Sequence, residues 1–444
     1  ATRAHFEDQF DVDIEKRANK FMWLGTHKVF DAFKFIFKET PQGWIWAHAY
    51  QFDENTSTFI PECSEETYQN FGFAEMSQAD IIAKIENIFA DELDGHSLMS
   101  NASHLRGAAI WLNFRRVLCK KWHHKNIILL GDAAHTAHFS IGSGTKLAFE
   151  DAIKLADVLS TSEQRLEKAL ETYQEERHLE AIKLQSAARN STEWFENVER
   201  YLEMEPIQFT YSLLTRSQRV SHDNLRLRDK DWLEGVENWF HERATGHAPK
   251  MRTPPMFTPF KLRDMHLVNR VVVSPMCMYS AKDGMPNDFH ASHLTSRALG
   301  GAGLVFTEMT NISPDARITP GCAGIWSKAH RDAWAKIVDF VHTQTPAKIA
   351  LQLGHAGRKG ATKLAWEGYD EPLDEGAWPI YGPSPIPWSA DNQTPIAMSR
   401  ADMDRIIDDY VKATEYTAQA GFDMIELHAA HGYLLSSFLT PLSN

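Results

Sequence analysis

Four short apolar segments separated by helical patterns place the strongest constraint on the fold of this 444-residue chain. The segments read as strands at 270–276, 304–309, 348–353 and 424–428. Helices are expected between them, at 292–299, 329–344 and 401–420, with Ser399 and Asp402 forming a capping box for the last. Strands that alternate with helices predict a parallel α/β sheet. Four such units suit the first half of a (β/α)8 TIM barrel.

The carboxyl ends of barrel strands are where this fold keeps its chemistry. Here those ends are rich in polar and aromatic residues, namely Ser274-Pro275-Met276-Cys277-Met278-Tyr279, Thr307-Glu308-Met309, Gln352-Leu353-Gly354-His355 and His428-Ala429-Ala430-His431-Gly432-Tyr433. A histidine pair at this spacing also fits a metal site or two core histidines, and Cys277 also fits a small buried hydrophobe. The pattern predicts an active site at this edge of the sheet.

From about Phe257 to Asn444, these strand ends resemble the old yellow enzyme family of FMN-dependent ene-reductases, especially its branch with a Cys beneath the flavin. The resemblance implies FMN contacts from Ser274, Pro275, Met276, Cys277 and Gln352. It implies that His428 and His431 donate hydrogen bonds to a substrate oxygen. It also implies that Tyr433 supplies a proton and that Tyr279 helps to bind the substrate. Met309 stands where that branch usually has a small residue.

A second motif lies in the first half of the chain. The apolar segment 126–130 predicts a buried strand, followed by the Gly131-Asp132 turn, a glycine-rich loop at 142–145 and a helix at 145–159. A glycine loop lets a ligand approach the backbone closely, and a helix N-terminus offers free N–H groups to negative charge. An ordinary strand-turn-helix is the simpler interpretation of the loop alone.

Over about twenty residues this stretch resembles the second FAD motif of the single-component flavin-dependent aromatic hydroxylases. The resemblance implies that Asp132 binds the ribityl side of FAD. It also implies that the backbone at Gly144, Thr145 and Lys146 faces the pyrimidine edge of the flavin. The family usually has a proline pair where this chain has His138-Phe139.

Before this motif, alternating aromatic and β-branched residues from Phe21 to Ile60 predict an antiparallel sheet of at least four strands, free to form a pocket wall. Helices are expected at 67–93 and 162–203. A proline-rich, polar segment at 241–256 predicts a linker. We therefore expect an FAD-dependent monooxygenase domain at 1–240, in part α+β, and an FMN-binding barrel at 257–444.

Composition limits the alternatives. A net charge of −13 argues against binding to nucleic acid. Four scattered cysteines, Cys63, Cys119, Cys277 and Cys322, suggest neither disulfides nor a metal site. No apolar run approaches the ~18 residues of a membrane span, so a reducing cytoplasm is the expected location.

Taken together, the two halves resemble the bifunctional salicyloyl-CoA 5-hydroxylase and 2-aminobenzoyl-CoA monooxygenase/reductase group. The sequence stretches at 17–21, 101–107 and 214–219 resemble the same group. This resemblance implies ring hydroxylation of an aromatic acyl-CoA with FAD, NAD(P)H and O2, coupled to FMN-dependent ene reduction. The alternative is a plain ene-reductase with a non-catalytic N-terminal half. Because the G-x-G-x-x-G fingerprint and four barrel strands are missing, we expect a piece of a longer protein. The sequence is compatible with a homo-oligomer.

Overall fold

The computed structural model describes residues 2–100, 111–161 and 165–444, so the stretch at 101–107 lies outside the described residues. The chain forms two compact units, Ala1–Leu233 and Glu234–Asn444. Their boundary falls within the helix Lys230–Thr245, which also covers the first residues of the predicted linker at 241–256. The domain bounds 1–240 and 257–444 stay a prediction.

The first unit contains an antiparallel sheet. Its strands in the described residues are β1 (Val12–Phe21), β2 (Leu24–Thr26), β3 (Lys34–Thr40), β4 (Gly43–Asp53), β5 (Thr56–Cys63), β6 (Leu98–Ser100) and β7 (Leu112–Cys119). They pair in the order β3-β4-β5-β1-β7, with β2 on β5 and β6 on β2. The predicted antiparallel sheet is confirmed, and β1 is an addition to it.

Strand β1 escapes sequence analysis because it carries charges on both faces. In the structure several of these charges form ion pairs, both with β7 and along β1 itself. The Arg116 guanidinium on β7 donates to the carboxylates of Asp13 at 2.7 Å and Glu15 at 3.3 Å, and Arg17 donates to Glu15 at 2.7 Å. Ion pairs along the strand therefore replace the apolar alternation that marks most strands.

Helices pack on both faces of the sheet and continue the unit. Those described are α1 (Thr2–His5), α2 (Glu7–Phe10), α3 (Glu65–Phe71), α4 (Gln78–Ile88), α5 (Ala90–Leu93), α6 (Gly144–Thr161), α7 (Leu166–Glu196), α8 (Glu199–Leu202), α9 (Pro206–Thr215), α10 (His222–Arg228) and α11 (Lys230–Thr245). Ile81, Ile85 and Phe89 form an apolar stripe within the helices predicted at 67–93, and they are buried in the core beside β4 and β5.

The segment before the glycine loop differs from the prediction. Within this segment only Ile127–Ile128 forms a strand, β9, with β8 (His123–His124) as its antiparallel partner. Leu129 is buried, but Leu130 is 37% exposed, and a turn of 3-10 helix follows at Gly131–Ala133. The prediction of a buried strand over 126–130 was therefore wrong in its extent. The chain turns at once into the loop.

The second unit contains the predicted parallel sheet. Its strands in the described residues are β10 (Phe260–Leu262), β11 (Met265–Leu267), β12 (Val272–Val273), β13 (Leu304–Asn311), β14 (Lys348–Gly354), β15 (Tyr381–Gly382), β16 (Ile396–Ala397) and β17 (Met424–Leu427). Strands β12, β13, β14 and β17 lie side by side in chain order and run parallel. This is the arrangement of half a (β/α)8 barrel. The first strand is shorter than the predicted 270–276.

The helices of this unit pack on the parallel sheet. They are α12 (Asp288–Leu299), α13 (Lys328–Gln344), α14 (Arg400–Gln419) and α15 (Leu434–Leu439). The predicted capping box at Ser399 and Asp402 is confirmed, because each side chain bonds the other residue's backbone N–H. The fully buried Trp334 lies in the core between helices and sheet.

No helix in residues 2–100, 111–161 and 165–444 combines the length and the apolar character that crossing a bilayer requires.

Candidate flavin sites

A cleft of about 970 Å³ opens between the antiparallel sheet and the glycine loop of the first unit. The sheet contributes aromatic walls, and the loop contributes small residues and backbone. The lining residues are Phe21, Trp23, Phe33, Tyr50, Phe114, Leu130, Gly131, Asp132, Ala133, Thr136, Ala137, Phe139, Gly142, Ser143, Gly144, Thr145 and Ala148. Apolar walls with a few polar groups are typical of cofactor sites.

The predicted FAD contacts lie at this cleft with one exception. Asp132 is exposed in the turn, and α6 begins at Gly144, where an added Cβ would meet no atom within 4 Å. Thr145 also lines the cleft. Lys146 does not line the cleft, and its ammonium pairs with Glu150 on the next turn; the contact predicted for its backbone stays a prediction. A helix N-terminus at an open cleft fits an anionic flavin edge.

Sequence analysis missed Asp151, the residue that holds the loop in place. Gly131 has a φ of 53°, and its backbone N–H donates to the Asp151 carboxylate at 2.9 Å. The same carboxylate accepts from His135 Nε2 at 2.7 Å and from Arg177 Nε at 2.9 Å. Burial alone would raise the pKa of Asp151, but these hydrogen bonds outweigh it and lower the pKa.

A left-handed turn at Gly131 leaves no space for a side chain. A Cβ there would lie 2.9 Å from the Cβ of Ala148 on α6. The turn that presents Asp132 is thus fixed by close packing on one side and by the Asp151 carboxylate on the other. A lone aspartate in a helix gives no sequence signal for this contact.

Phe139 of the His138-Phe139 pair forms part of the aromatic wall of the cleft. The Phe139 ring lies 4.9 Å from Phe21 and 5.9 Å from Trp23, and it stacks on His138 at 4.1 Å. His138 is buried and shares a hydrogen bond with Ser140 Oγ at 2.9 Å. The departure from the family's proline pair therefore produces an ordered, packed wall.

In the second unit, three predicted site residues come together in one small cluster. Cys277 and Tyr279 from the end of β12 pack with Tyr433 from the end of β17, against the buried Met309. Burial raises the pKa values of the Cys277 thiol and of both phenols. These groups therefore keep their protons at neutral pH.

The predicted histidine pair lies beside this cluster. His431 Nδ1 is 3.2 Å from His428 Nε2, and the Ala430 N–H donates to His428 Nδ1 at 3.3 Å. Burial, and then the neighbouring His431, lower the pKa of His428. The edge of the Tyr433 ring faces His428 with centroids 4.8 Å apart. The imidazoles of His428 and His431 and the Tyr433 phenol thus meet at the end of β17.

The other predicted FMN contacts lie at neighbouring strand ends. Gln352 on β14 donates to Glu426 on β17 at 3.2 Å. Ser274 and Met276 are exposed after β12, while Pro275 is half-buried between them. Exposed groups beside the Cys277 cluster leave one side of the strand ends open, which fits a planar cofactor lying across them.

Met309 and Gly354 fit one another. The Met309 side chain is 1% exposed, and a Cβ on Gly354 would lie 2.5 Å from its Cγ and Sδ. The glycine at the end of β14 therefore provides the space that the larger side chain on β13 needs. Met309 also packs against Cys277, Tyr279 and Tyr433, so it contributes to the shape of this cluster.

Two buried histidines make the stability of both units depend on pH. Burial lowers the pKa of His138 to about 4 and the pKa of His355 to about 4. Because an unfolded histidine titrates near pH 6.5, only the unfolded chain binds these protons between the two values. Stability should therefore fall as the pH drops from 7 to 5, by about 2 kcal/mol per histidine in urea unfolding.

The control is His355→Asn in the full-length protein. An asparagine oxygen can accept the Gly357 N–H bond that His355 Nδ1 accepts at 3.0 Å, but it takes up no proton. We expect the loss of stability between pH 7 and pH 5 to shrink by about 2 kcal/mol. An identical loss in this variant would contradict the assignment.

Two protein-family models match this chain, one over each of the segments that contain a candidate site. Residues 8–188 match the model of the FAD binding domain family, and residues 255–444 match that of the NADH:flavin oxidoreductase / NADH oxidase family. These matches assign FAD to the first segment and FMN with NAD(P)H to the second.

Curated relatives exist for both segments. Salicyloyl-CoA 5-hydroxylase of Streptomyces sp is 34% identical over 294 residues, which are 64% of this chain and 54% of that protein. NADPH dehydrogenase of Bacillus licheniformis is 43% identical over 191 residues, covering 43% and 52%. The chain thus spans about half the length of these relatives.

Among solved structures, morphinone reductase in complex with tetrahydroNAD is 31% identical, with a TM-score of 0.38, covering 43% of this chain and 54% of that one. The Asp132 cleft lies within the first matched segment, and the His428 cluster lies within the second. The chain is therefore similar to the FAD binding domain family over residues 8–188 and to the NADH:flavin oxidoreductase / NADH oxidase family over residues 255–444.

Proposed function

We propose that this chain is part of an NAD(P)H-dependent flavoprotein that hydroxylates the ring of an aromatic acyl-CoA and then reduces the product. The observation that carries the proposal is one chain holding both an aromatic cleft at a glycine loop and a His-Tyr cluster at parallel strand ends. The similarity to salicyloyl-CoA 5-hydroxylase supports the same pairing of segments. A reducing cytoplasm remains the predicted location.

The cleft of the first unit suits a flat, electron-rich ring. When bound, FAD supplies the electrophilic oxygen for hydroxylation. The chain's own contribution is to hold the ring between aromatic walls such as Phe139, Phe21 and Trp23 and to exclude water. In a 2-hydroxy- or 2-aminobenzoyl thioester, position 5 is para to the electron-donating group. Hydroxylation there needs positioning rather than an added base.

The second unit suits reduction of an enone. FMN, when bound, supplies the hydride for the β-carbon. His428 and His431 would donate hydrogen bonds to the carbonyl oxygen, where negative charge develops. Tyr433 would protonate the α-carbon and Tyr279 would hold the substrate. Ser274, Pro275, Met276, Cys277 and Gln352 would contact the flavin.

We further propose salicyloyl-CoA or 2-aminobenzoyl-CoA as the substrate, with O2 as the co-substrate. The thioester class rests on the Streptomyces relative, whose matched part covers 294 residues across both segments. Either NADH or NADPH would serve as reductant.

Asp132→Ala in the full-length protein tests the first site. We expect FAD content to fall while FMN content stays constant. A lost hydrogen bond to a charged group costs about 1.5–3 kcal/mol, which weakens FAD binding by roughly ten- to a hundredfold. The measurement is flavin extraction and chromatography after dialysis.

Asp91→Ala is the matched control, because Asp91 is an exposed aspartate on α5 that does not line the cleft. It should keep both flavins. Unchanged FAD occupancy in Asp132→Ala would refute the assignment of this motif. Purified wild-type protein that contains FMN alone would favour the plain ene-reductase with a non-catalytic first half.

A further inference from the structure

Glu308 and His290 form a buried pair that no part of the proposed reaction uses. His290 Nε2 donates to Glu308 Oε1 at 2.8 Å, and both side chains have an exposure of 0%. Burying such a pair is unfavourable unless its hydrogen bonds are well made. The positions of the remaining bonds therefore indicate what the pair holds in place.

The second carboxyl oxygen of Glu308 is bonded to the segment that carries Cys277 and Tyr279. The Met278 N–H, between these two residues, donates to Glu308 Oε2 at 3.3 Å. On the other side of Tyr279, the Ser280 carbonyl accepts from Asn287 Nδ2 at 2.6 Å. Polar contacts thus fix the backbone immediately before and immediately after Tyr279.

Asn287 connects both contacts to the same pair. Its backbone N–H donates to His290 Nδ1 at 3.2 Å, and its side chain caps α12 at the N–H of Phe289. Because Nδ1 accepts from the Asn287 N–H, Nε2 is the ring nitrogen that donates to Glu308. The bonds therefore run continuously from Ser280 through Asn287, His290 and Glu308 to Met278.

Two backbone features accompany these hydrogen bonds, a bulge beside Glu308 and a positive φ at Tyr279. Strand β13 shifts register against β14 between Phe306 and Met309, so one extra residue lies in β13 around Glu308. Such a bulge redirects side chains near functional sites. Tyr279 itself has a φ of 50°, an unfavourable conformation for a bulky residue unless neighbouring contacts maintain it.

We propose that Glu308 and His290 are positioning residues that hold the segment from Cys277 to Tyr279 in the geometry needed beneath and beside the flavin. This rests on the proposed function of the second unit. Neither residue touches the reacting atoms. The pair acts through the Met278 N–H and, by way of Asn287, through the Ser280 carbonyl.

Glu308→Gln in the full-length protein is the test. An amide can accept from His290, but its NH2 group then faces the Met278 N–H, so one hydrogen bond is lost. We expect Cys277 to react with N-ethylmaleimide about tenfold faster, the factor that corresponds to ~1.4 kcal/mol and to one lost buried hydrogen bond. Peptide mass spectrometry measures the rate at each cysteine and needs no enzyme activity.

Kinetics give a second readout. With cyclohex-2-enone and NADPH, KM should rise several-fold while kcat changes little, since His428, His431 and Tyr433 lie at another strand end. Asn287→Ser is a milder variant, because serine can still cap α12 but is too short to reach Ser280. It should change Cys277 reactivity and KM in the same direction.

The matched control is Glu62→Gln, which alters the buried His48–Glu62 pair of the first unit at the same kind of distance, 2.9 Å. It should leave Cys277 reactivity unchanged. Unaltered Cys277 reactivity in Glu308→Gln would overturn the proposal. Equal acceleration at Cys277 and the buried Cys322 would also overturn it, by showing general loosening. Wild-type protein without enone reduction would refute the proposed function and leave the alkylation result to decide the positioning.

Discussion

Replacing His428 and His431 together by alanine should abolish ene reduction and leave ring hydroxylation intact. Loss of one hydrogen-bond donor aimed at a developing oxyanion typically costs on the order of 10²–10³ in rate. The two imidazoles lie within 3.2 Å of one another, so one substrate oxygen can accept from both. Loss of both donors should therefore exceed the single effect.

Hydroxylation should continue because the two sites lie in separate compact units. With 2-aminobenzoyl-CoA, NADH and O2, the product should shift from a reduced, non-aromatic thioester to a hydroxylated aromatic one, identified by mass. The single variants His428→Ala and His431→Ala provide the comparison, and flavin extraction confirms that FAD and FMN remain bound. If the double variant loses both reactions while keeping both flavins, the two-site account is wrong.

Asp151→Ala should destabilise the first unit and release FAD. Removing one partner from a buried ion pair typically costs about 3–5 kcal/mol, because the remaining charge is left uncompensated. Here His135 would lose its acceptor, Arg177 would be left with Glu150 alone, and the Gly131 N–H would lose the bond that shapes the turn. Urea unfolding followed by circular dichroism and flavin extraction measure the two effects.

The pH dependence provides an independent check of the same residue. Because the folded pKa of Asp151 is lowered, its stabilisation is present above the unfolded value near 3.9 and is lost as the pH falls through the folded value. Asp157→Ala is the control, since this side chain on the same helix is 56% exposed. It should cost less than about 1 kcal/mol. Similar losses for both variants would contradict the role of Asp151.

The sequence predicts the second unit well because parallel strands buried on both faces appear as apolar runs. Leu304–Asn311 and Lys348–Gly354 are nearly continuous buried strands, and both were located within a few residues. Val272–Val273 lies at the edge of the sheet, where less of the chain pairs, and its predicted length was too great. Periodicity thus finds buried strands more reliably than their ends.

The residues that hold the sites in place were not predictable in the same way. The cluster of Cys277, Tyr279 and Tyr433 followed from motifs at strand ends. Asp151 and Glu308 act through contacts with residues distant along the chain. A single acidic residue in a helix or strand gives no local signal of such a partner. A one-residue bulge in β13 is equally invisible in the sequence.

Strand β1 is an element that apolar periodicity does not find. Its charges give no strand signal in the sequence, yet it pairs with both β5 and β7 in the sheet. The ion pairs of Arg116 with Asp13 and Glu15 become apparent only when the register brings these strands together. Charge pairing between strands depends on the tertiary structure, so composition alone does not indicate that this segment is a strand.

The most direct test of the account is one turnover experiment with 18O-labelled O2. Full-length protein receives salicyloyl-CoA or 2-aminobenzoyl-CoA with NADH, and the product is analysed by mass spectrometry. We predict a thioester that carries one labelled oxygen on the ring and two added hydrogens. A product with added hydrogens but no label, or with no modification from either substrate, would contradict the proposal that both flavin sites act on an aromatic acyl-CoA.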